Sequence, residues 1–134
     1  MQDWGQLSKE IAHWIKEYAE DNQITSLIVG VSGGIDSAVT STLCAKTGLN
    51  TIVLNMPIHQ DTSQYNLSNR HIDWLQSNWK NVDSHTIDLT RTFDLYANEL
   101  SNHSLSDLAS ANTRARLRMT TLYAIAGSNN GIVV

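Results

Sequence analysis

The sequence predicts an α/β protein in which helices cover both faces of a doubly wound parallel sheet. Short apolar segments alternate along the chain with longer segments in which apolar residues recur at helical spacing. The first two apolar segments, ITSLIVGVS and TIVLNM, are rich in β-branched residues and largely lack the polar alternation of a half-exposed strand. A glycine-rich turn joins the first of them to the next helix. Alternation, buried strands and turn together favour this fold class.

The first half of the chain is predicted to run helix, strand, helix, strand. Residues 7–18 place apolar side chains on one face of an amphipathic helix. Residues 24–32 form the first buried strand, and residues 36–47 resume helical spacing up to Gly48, a typical C-terminal cap. Residues 51–56 form the second buried strand, which ends at the only proline.

The second half continues the alternation with a less regular pattern. Residues 61–79 predict a polar helix with one apolar edge, and residues 84–89 predict a third, more amphipathic strand. A polar stretch covers residues 90–102 and precedes a long helix over residues 106–126. Residues 131–134 (GIVV) open another strand.

This last strand indicates that the domain continues. A buried strand needs neighbours and an exit, and a natural chain seldom ends inside one. We therefore expect residues 1–134 to form one domain that is incomplete at its C-terminus, with part of the fold beyond Val134. Reading the gene beyond codon 134 checks this expectation.

Composition and charge exclude several classes of protein. A chain of 134 residues is the size of one domain, and its net charge of −4 disfavours nucleic acid or an anionic membrane surface as a partner. The single cysteine, Cys44, excludes a disulfide framework and a cysteine-based zinc site. No apolar run approaches the roughly 20 residues of a membrane-spanning helix, and the N-terminus lacks the pattern of a signal peptide. We expect a cytoplasmic protein.

The strongest signal for a binding site is the octet GVSGGIDS between the first strand and the second helix. Gly33 and Gly34 carry no Cβ, so backbone N–H groups there can approach an anion closely. The helix that follows adds unpaired N–H groups and the positive end of its dipole, which together suit a phosphate. Ser32 and Ser37 supply hydroxyl donors. The predicted polyphosphate-binding residues are Gly30, Val31, Ser32, Gly33, Gly34, Ile35, Asp36 and Ser37.

Asp36 is a carboxylate in the middle of this anion-binding segment. It would repel a polyphosphate unless a cation lay between them, which indicates Mg²⁺ with Asp36 as a ligand. The alternative for these residue types is a tight turn with a helix cap. The spacing excludes two other phosphate loops, since the octet lacks a Gly-Lys-Ser/Thr ending and does not match Gly-x-Gly-x-x-Gly.

Two motifs carry a resemblance to known enzymes. SGGIDS resembles the Ser-Gly-Gly-x-Asp-Ser signature of the N-type ATP pyrophosphatases, whose sheet is Rossmann-like and similar to that of the adenine nucleotide α-hydrolases. NTRARLRM, followed by LYA, resembles the Asn-x-x-Ala-Arg-x-Arg-Met segment of NAD synthetases. With a matching order of elements between the motifs, the chain resembles the N-terminal half of an ammonia-dependent NAD synthetase.

The resemblance implies an activity and its partners. The nicotinate carboxylate of deamido-NAD attacks the α-phosphorus of ATP and releases pyrophosphate, and ammonia then displaces AMP to form NAD. The octet binds ATP, Asp36 holds Mg²⁺, and the protein is a homodimer. No covalent enzyme intermediate is needed. Too few residues precede Ser32 for a glutaminase domain, which favours ammonia, although a separate glutaminase subunit stays open.

The long C-terminal helix carries the predicted substrate residues. The resemblance assigns Arg116 to deamido-NAD, and Asn112 and Tyr123 fall on the same flank of the helix. Arg114 and Arg118 fall on the other flank, where we treat Arg114 as solvated and leave the role of Arg118 open. The apolar stripe expected to pack on the sheet consists of Leu108, Ala111, Ala115, Met119, Leu122 and Ala126.

Two alternatives to this function stay open. Another N-type ATP pyrophosphatase, such as a tRNA-modifying or aminating synthetase, usually carries extra cysteines, a basic RNA surface or a large companion domain. A non-catalytic ATP-binding module would bind ATP without consuming it. Because the family's Gly-Thr loop and second metal carboxylate are not among these residues, we expect residues 1–134 by themselves to be inactive.

Overall fold

A computed structural model describes the chain from Met1 to Val134 as a four-stranded sheet covered by helices on both faces. The strands are β1 (Ser26–Gly30), β2 (Asn50–Asn55), β3 (Val82–Thr86) and β4 (Gly131–Val133). The helices are α1 (Trp4–Asp21), α2 (Ile35–Lys46), α3 (Thr62–Asn78), α4 (Thr90–Glu99) and α5 (Asp107–Ser128), with a single 3-10 turn at Ser101–His103. None of these helices is both long and apolar enough to cross a membrane.

The strands lie in the order β3-β2-β1-β4, and every neighbouring pair is parallel. Leu27 of β1 pairs with Thr51 of β2 on one side and with Ile132 of β4 on the other. From β1 the chain proceeds outward to β3 and then returns to place β4 on the opposite side of β1. The order therefore reverses between β1 and β4, which is where ligands bind in doubly wound sheets. The predicted fold class is confirmed.

Two apolar clusters, one on each face of the sheet, hold the layers together. Alternate residues of each strand enter opposite clusters: Val29 and Val53 face α1, α2 and α3, whereas Ile28 and Leu54 face α4 and α5. All four are at most 2% exposed. Each strand of the central pair is thus buried on both faces, which explains why its sequence is a continuous apolar run.

The helix starts follow from local hydrogen bonds. Asp3, Asp61 and Ser106 precede α1, α3 and α5, and each side chain accepts a backbone N–H from the first turn of its helix. The cap of α2 is Gly34, which has no side chain to serve this purpose. Of the helices α1, α2, α3 and α5, only α2 therefore begins without a hydrogen bond to the side chain of its N-cap residue.

Two segments differ from the sequence-based expectation. The polar stretch 90–102 contains α4, which is anchored by Phe93, a residue only 7% exposed. The third strand is β3, Val82–Thr86, two residues earlier than expected, and only its first residue is buried. Ile87 and Leu89 follow the strand and pack with the α4 and α5 cluster. These two apolar residues serve that cluster and not the strand. Their apolar side chains moved the predicted strand two residues toward the C-terminus.

The face that α5 turns toward the sheet also differs from the predicted stripe. Leu108 is 73% exposed and Met119 is 49% exposed, whereas Leu117 and Ile125 pack against the α4 and α5 cluster. Of the predicted stripe, Leu122 and Ala126 do pack there. The helix has apolar residues on two faces, so periodicity alone did not select the buried one. The predicted stripe Leu108, Ala111, Ala115 and Met119 is wrong and faces outward.

Cys44 lies in α2 with no exposed surface, and it packs in the apolar cluster on the sheet face that α1, α2 and α3 cover. Burial raises the pKa of its thiol to about 12. The thiolate is the reactive form, and at pH 8 this pKa leaves about a thousandfold less of it than in an unfolded chain. We expect iodoacetamide to modify Cys44 at least about a hundredfold more slowly in the native protein than in guanidinium chloride. Mass spectrometry of timed samples gives both rates, and equal rates would contradict the buried position.

Candidate functional site

The glycine-rich segment lies where β1 ends and α2 begins, at the reversal of strand order. Val31 donates its N–H to the carbonyl of Leu54 at 2.8 Å, so the start of the loop continues the pairing of β1 with β2. Gly33 has a φ of +86°, and a Cβ placed on it would lie 3.1 Å from the carbonyl oxygen of Gln64. The loop therefore passes close to the first turn of α3, where only a glycine fits without movement.

Several backbone N–H groups of this loop have no acceptor in the chain. They belong to Gly33, Ile35, Asp36 and Ser37, the last three in the first turn of α2. Free N–H groups at a helix start carry a partial positive charge and bind anions. Because no side chain caps α2, nothing in the chain occupies the position that an anion would take.

The sequence predicted that Ser32 and Ser37 donate hydroxyl groups to a ligand. In the structure both hydroxyls form hydrogen bonds within the loop. Ser37 Oγ accepts the N–H of Ser32 at 3.0 Å and donates to the carbonyl of Gly34 at 3.2 Å. Ser32 Oγ accepts the N–H of Gly34 at 3.2 Å and lies 3.1 Å from Ser37 Oγ. The hydroxyls thus connect the two ends of the loop and hold its shape.

Asp36 is the carboxylate available to a metal at this loop. It is exposed in the first turn of α2 and takes part in none of the ion pairs of the chain. No group of three or more His, Cys, Asp or Glu side chains is placed to hold a metal. Mg²⁺ is commonly bound by one or two carboxylates together with phosphates and water. Asp36 fits as the protein ligand of such a phosphate-bound ion, and a site made of protein ligands alone is absent.

A cavity of about 280 Å³ opens beside the loop, at the carboxyl ends of β1 and β2. It is lined by Gly30, Val31, Ser32, Met56, Gln60, Arg118 and Leu122. Its wall combines apolar groups from Met56 and Leu122 with one guanidinium, one hydroxyl and one amide. A cavity of this size and composition suits a small ligand with a flat apolar part and an anionic part.

Arg118, whose role the sequence left open, lines this cavity. It is half-buried, and its Nε donates to the carbonyl oxygen of Met56 at 2.9 Å. Burial lowers the pKa of its guanidinium, with a smaller contribution from the charge of Arg114. A guanidinium stays protonated in proteins, so Arg118 is a charged group in the wall of the cavity. The sequence does contain a signal for the inward position of Arg118: it lies four residues before Leu122 and eight before Ala126, both of which pack inward.

The predicted substrate residues Arg116, Asn112 and Tyr123 lie together on the outward face of α5. All three are exposed, and none of them lines the cavity beside the loop. Tyr123 instead borders a separate groove of about 420 Å³ with Tyr18 and β4. The structure thus keeps these three residues on one face, as expected, and places that face away from the loop.

A second polar cavity lies next to the first, and Gln60 lines both. Its volume is about 360 Å³, and its wall consists of Pro57, His59, Gln60, Thr62, Tyr65, Thr86, Asp88 and Thr90. His59 Nε2 pairs with Asp94 Oδ1 at 2.6 Å. Hydrogen bonds from Thr90 to Asp88 lower the pKa of that carboxyl, as does the nearby His59. Asp88 and Asp94 place two carboxylates on this side of the site, and Arg118 is the one arginine or lysine that lines either cavity.

Comparison with known proteins gives consistent matches. The family model described as NAD synthase matches residues 7–134. An NH3-dependent NAD(+) synthetase of Alkaliphilus metalliredigens is 34% identical over an alignment of 144 residues, gaps included. The alignment covers 94% of this chain and 53% of that protein. One from Mesoplasma florum is also 34% identical, over 92% of this chain and 50% of that protein. The chain spans about half the length of these curated relatives.

Solved structures agree with the sequence matches. An NMN synthetase from Francisella tularensis superposes with a TM-score of 0.87 at 29% identity, over 99% of this chain and 54% of that one. An NH3-dependent NAD synthetase from Campylobacter jejuni, in complex with nitrate, superposes with a TM-score of 0.86 at 26% identity. The match covers 98% of this chain and 56% of that structure.

Proposed function

Since this chain belongs to the NAD synthase family, we propose that it contributes the ATP-binding half of an enzyme that amidates deamido-NAD with ammonia. The observation that carries the proposal is the loop itself: four free N–H groups, one in the loop and three in the first turn of α2, lie beside a cavity whose lining suits a nucleotide. The products would be NAD, AMP and pyrophosphate. We propose that the reaction takes place in the cytoplasm.

The residues of the chain suggest how the first step is promoted. A carboxylate oxygen of the nicotinate forms a bond to the α-phosphorus, and the bond from that phosphorus to the bridging oxygen breaks. Pyrophosphate leaves with the electron pair. Negative charge therefore grows on the leaving group, where the N–H groups of Gly33, Ile35, Asp36 and Ser37 would receive it. Donors fixed in advance stabilise developing charge more effectively than water does.

Magnesium has one candidate protein ligand in this chain, Asp36. A bound Mg²⁺ would neutralise charge on the phosphates and so assist departure of pyrophosphate. Asp36 lies one residue before Ser37, whose hydroxyl holds the loop, so its carboxylate would be kept near the phosphates by the same hydrogen bonds. This carboxylate would otherwise repel the ligand, which supports its role as a metal ligand.

We propose that Arg116, Asn112 and Tyr123, on the outward face of α5, bind deamido-NAD. We propose further that the protein is a homodimer. Leu108 and Met119 expose large apolar side chains on this outward part of α5. Exposed apolar groups concentrated on one face favour contact with another protein surface. A second copy that covers this face would lie beside the proposed substrate residues.

The size of the nicotinate substrate is a separate question. The neighbour from Francisella tularensis is named an NMN synthetase, so the corresponding mononucleotide is a second candidate substrate. The amidation chemistry and the use of ATP would be the same. Only the affinity for the second nucleotide half of deamido-NAD would differ.

Turnover by the protein expressed from its complete reading frame tests the function. The protein is mixed with ATP, magnesium and ammonium, and with either deamido-NAD or nicotinate mononucleotide. We expect NAD, AMP and pyrophosphate in equal amounts from deamido-NAD, measured by chromatography. Preferential amidation of the mononucleotide would replace the substrate assignment. Binding of ATP without any amidation of either compound would favour the non-catalytic module.

Replacing Asp36 tests the metal assignment. The Asp36→Asn variant keeps the shape of the side chain and removes its charge. We expect the magnesium concentration for half-maximal turnover to rise at least about tenfold, a loss seen even when outer partners of metal ligands are removed. Asp107→Asn is the matched control, because Asp107 is also an exposed acid in the first turn of a helix. Equal magnesium curves for the two variants would contradict the assignment.

A further inference from the structure

Arg118 is a half-buried cation that has no anion in the chain. The ion pairs of the protein join His13 to Glu17, Lys16 to Glu20 and His59 to Asp94, and none includes Arg118. Its one hydrogen bond uses Nε, which leaves the four N–H groups of Nη1 and Nη2 without a partner. Burying a charge without a partner costs free energy, and a ligand anion would offset that cost.

The bond to the Met56 carbonyl fixes the direction of the guanidinium. A planar guanidinium held at Nε can turn little, so its remaining N–H groups form a rigid fork directed away from that carbonyl. Such a fork matches the two oxygens of a phosphate. Arg114, one turn earlier, is held differently: it donates to Ser110 Oγ at 3.1 Å and lies over the ring of Phe93. Arg118 is therefore the arginine of α5 that is preset for an anion in the cavity.

The position of Arg118 relative to the two ends of the loop indicates which phosphate of ATP it would contact. The free N–H groups of residues 33–37 lie at the α2 end of the loop and suit the pyrophosphate part of ATP. Arg118 shares its cavity with Gly30, Val31 and Ser32, at the β1 end. The same cavity has the apolar wall that a nucleoside requires, from Met56 and Leu122. The phosphate between pyrophosphate and nucleoside is the α-phosphate, so it falls between the two sets of donors.

We infer that Arg118 binds the α-phosphate of the nucleotide and is a catalytic residue of the adenylation step. This inference rests on the proposed function. When the nicotinate oxygen attacks, the non-bridging oxygens of the α-phosphate take on the charge of the transition state, and the same oxygens remain in the adenylated intermediate. The Arg118 guanidinium would stabilise both, whereas the loop N–H groups stabilise only the leaving pyrophosphate.

Four probes separate these roles in the protein expressed from its complete reading frame. ATP and AMP contain the α-phosphate, adenosine lacks any phosphate, and pyrophosphate occupies the loop alone. For Arg118→Met, which keeps an unbranched apolar stem, we expect the affinity for ATP and AMP to fall at least about tenfold. The affinities for adenosine and pyrophosphate should stay within about twofold of wild type. Isothermal titration calorimetry measures all four.

The control is Arg114→Met, which removes the same charge from the same face of α5 outside the cavity. We expect its four affinities to match wild type, and circular dichroism during thermal unfolding checks that both variants are folded. An equal loss of pyrophosphate affinity in Arg118→Met would mean that Arg118 only supports the loop. Unchanged AMP affinity would also overturn the proposal. A wild-type protein that binds pyrophosphate but not AMP overturns it while the loop assignment stands, and one that binds no probe overturns both.

Discussion

Replacing Gly33 with alanine is expected to weaken ATP binding by at least about a hundredfold. A Cβ at this position would lie 2.8 Å from Gln64 Oε1 and 3.1 Å from the Gln64 carbonyl oxygen, and φ is +86°. The side-chain amide can move, but the carbonyl belongs to the first part of α3 and holds its position. The loop must therefore shift, and two misdirected N–H donors to a charged ligand cost about 3 kcal/mol or more. Calorimetric titration with ATP and with pyrophosphate measures this loss.

Gly48 provides the matched control for this substitution. It also has a positive φ, +77°, but a Cβ there would meet nothing within 4 Å. A non-glycine residue in such a conformation costs about 1–2 kcal/mol wherever it lies, so both variants should lose at least this much stability. Only Gly33→Ala should lose affinity for the phosphates. If Gly48→Ala and Gly33→Ala bound ATP equally well, the loop would not be the phosphate site.

The Phe93→Ala variant is expected to lower the free energy of unfolding by about 3–5 kcal/mol. Phe93 is 7% exposed and joins the cluster formed by Ile28, Leu54 and their neighbours under α4 and α5. The Arg114 guanidinium lies 5.5 Å from the centre of its ring, so the substitution also removes a cation–π contact. Urea unfolding followed by circular dichroism measures the loss of stability.

Leu95 is the control on the same helix. It is 59% exposed, and Leu95→Ala is expected to change stability by no more than about 0.5 kcal/mol. A Phe93→Leu variant should recover most of the loss, because it refills the space with apolar volume. A loss at Phe93→Ala no larger than that at Leu95→Ala would mean that α4 is not packed on the sheet.

The glycine-rich loop is the part of the candidate site whose place in the fold the sequence predicted. Residues 30–37 run from the last residue of β1 into the first turn of α2, and the properties that identify this segment are local. Two adjacent glycines, a preceding apolar run and a following helix all lie within a few residues of one another. The family resemblance carried by SGGIDS and NTRARLRM is also confirmed by the family match over residues 7–134.

The local sequence pattern did not predict which residues of α5 lie at the cavity beside the loop. Its arginines occupy different faces, and both faces of the helix contain apolar residues, so the sequence offered two alternatives of similar quality. Long arginine side chains pack their methylene groups against a core while the charged end reaches a polar site. This made Arg118 look like a residue of a polar face, although it lies against the sheet.

By itself, the sequence determined the parallel α/β architecture, the loop and the candidate metal ligand, since these depend on composition and spacing over short stretches. Only the tertiary structure decided the neighbours of that loop. It placed Arg118 beside Met56 although 62 residues separate them, and it turned Arg116, Asn112 and Tyr123 outward. The rotation of α5 about its axis is set by packing against two strands and α4 together, and contacts between elements so distant in the chain leave no local pattern in the sequence.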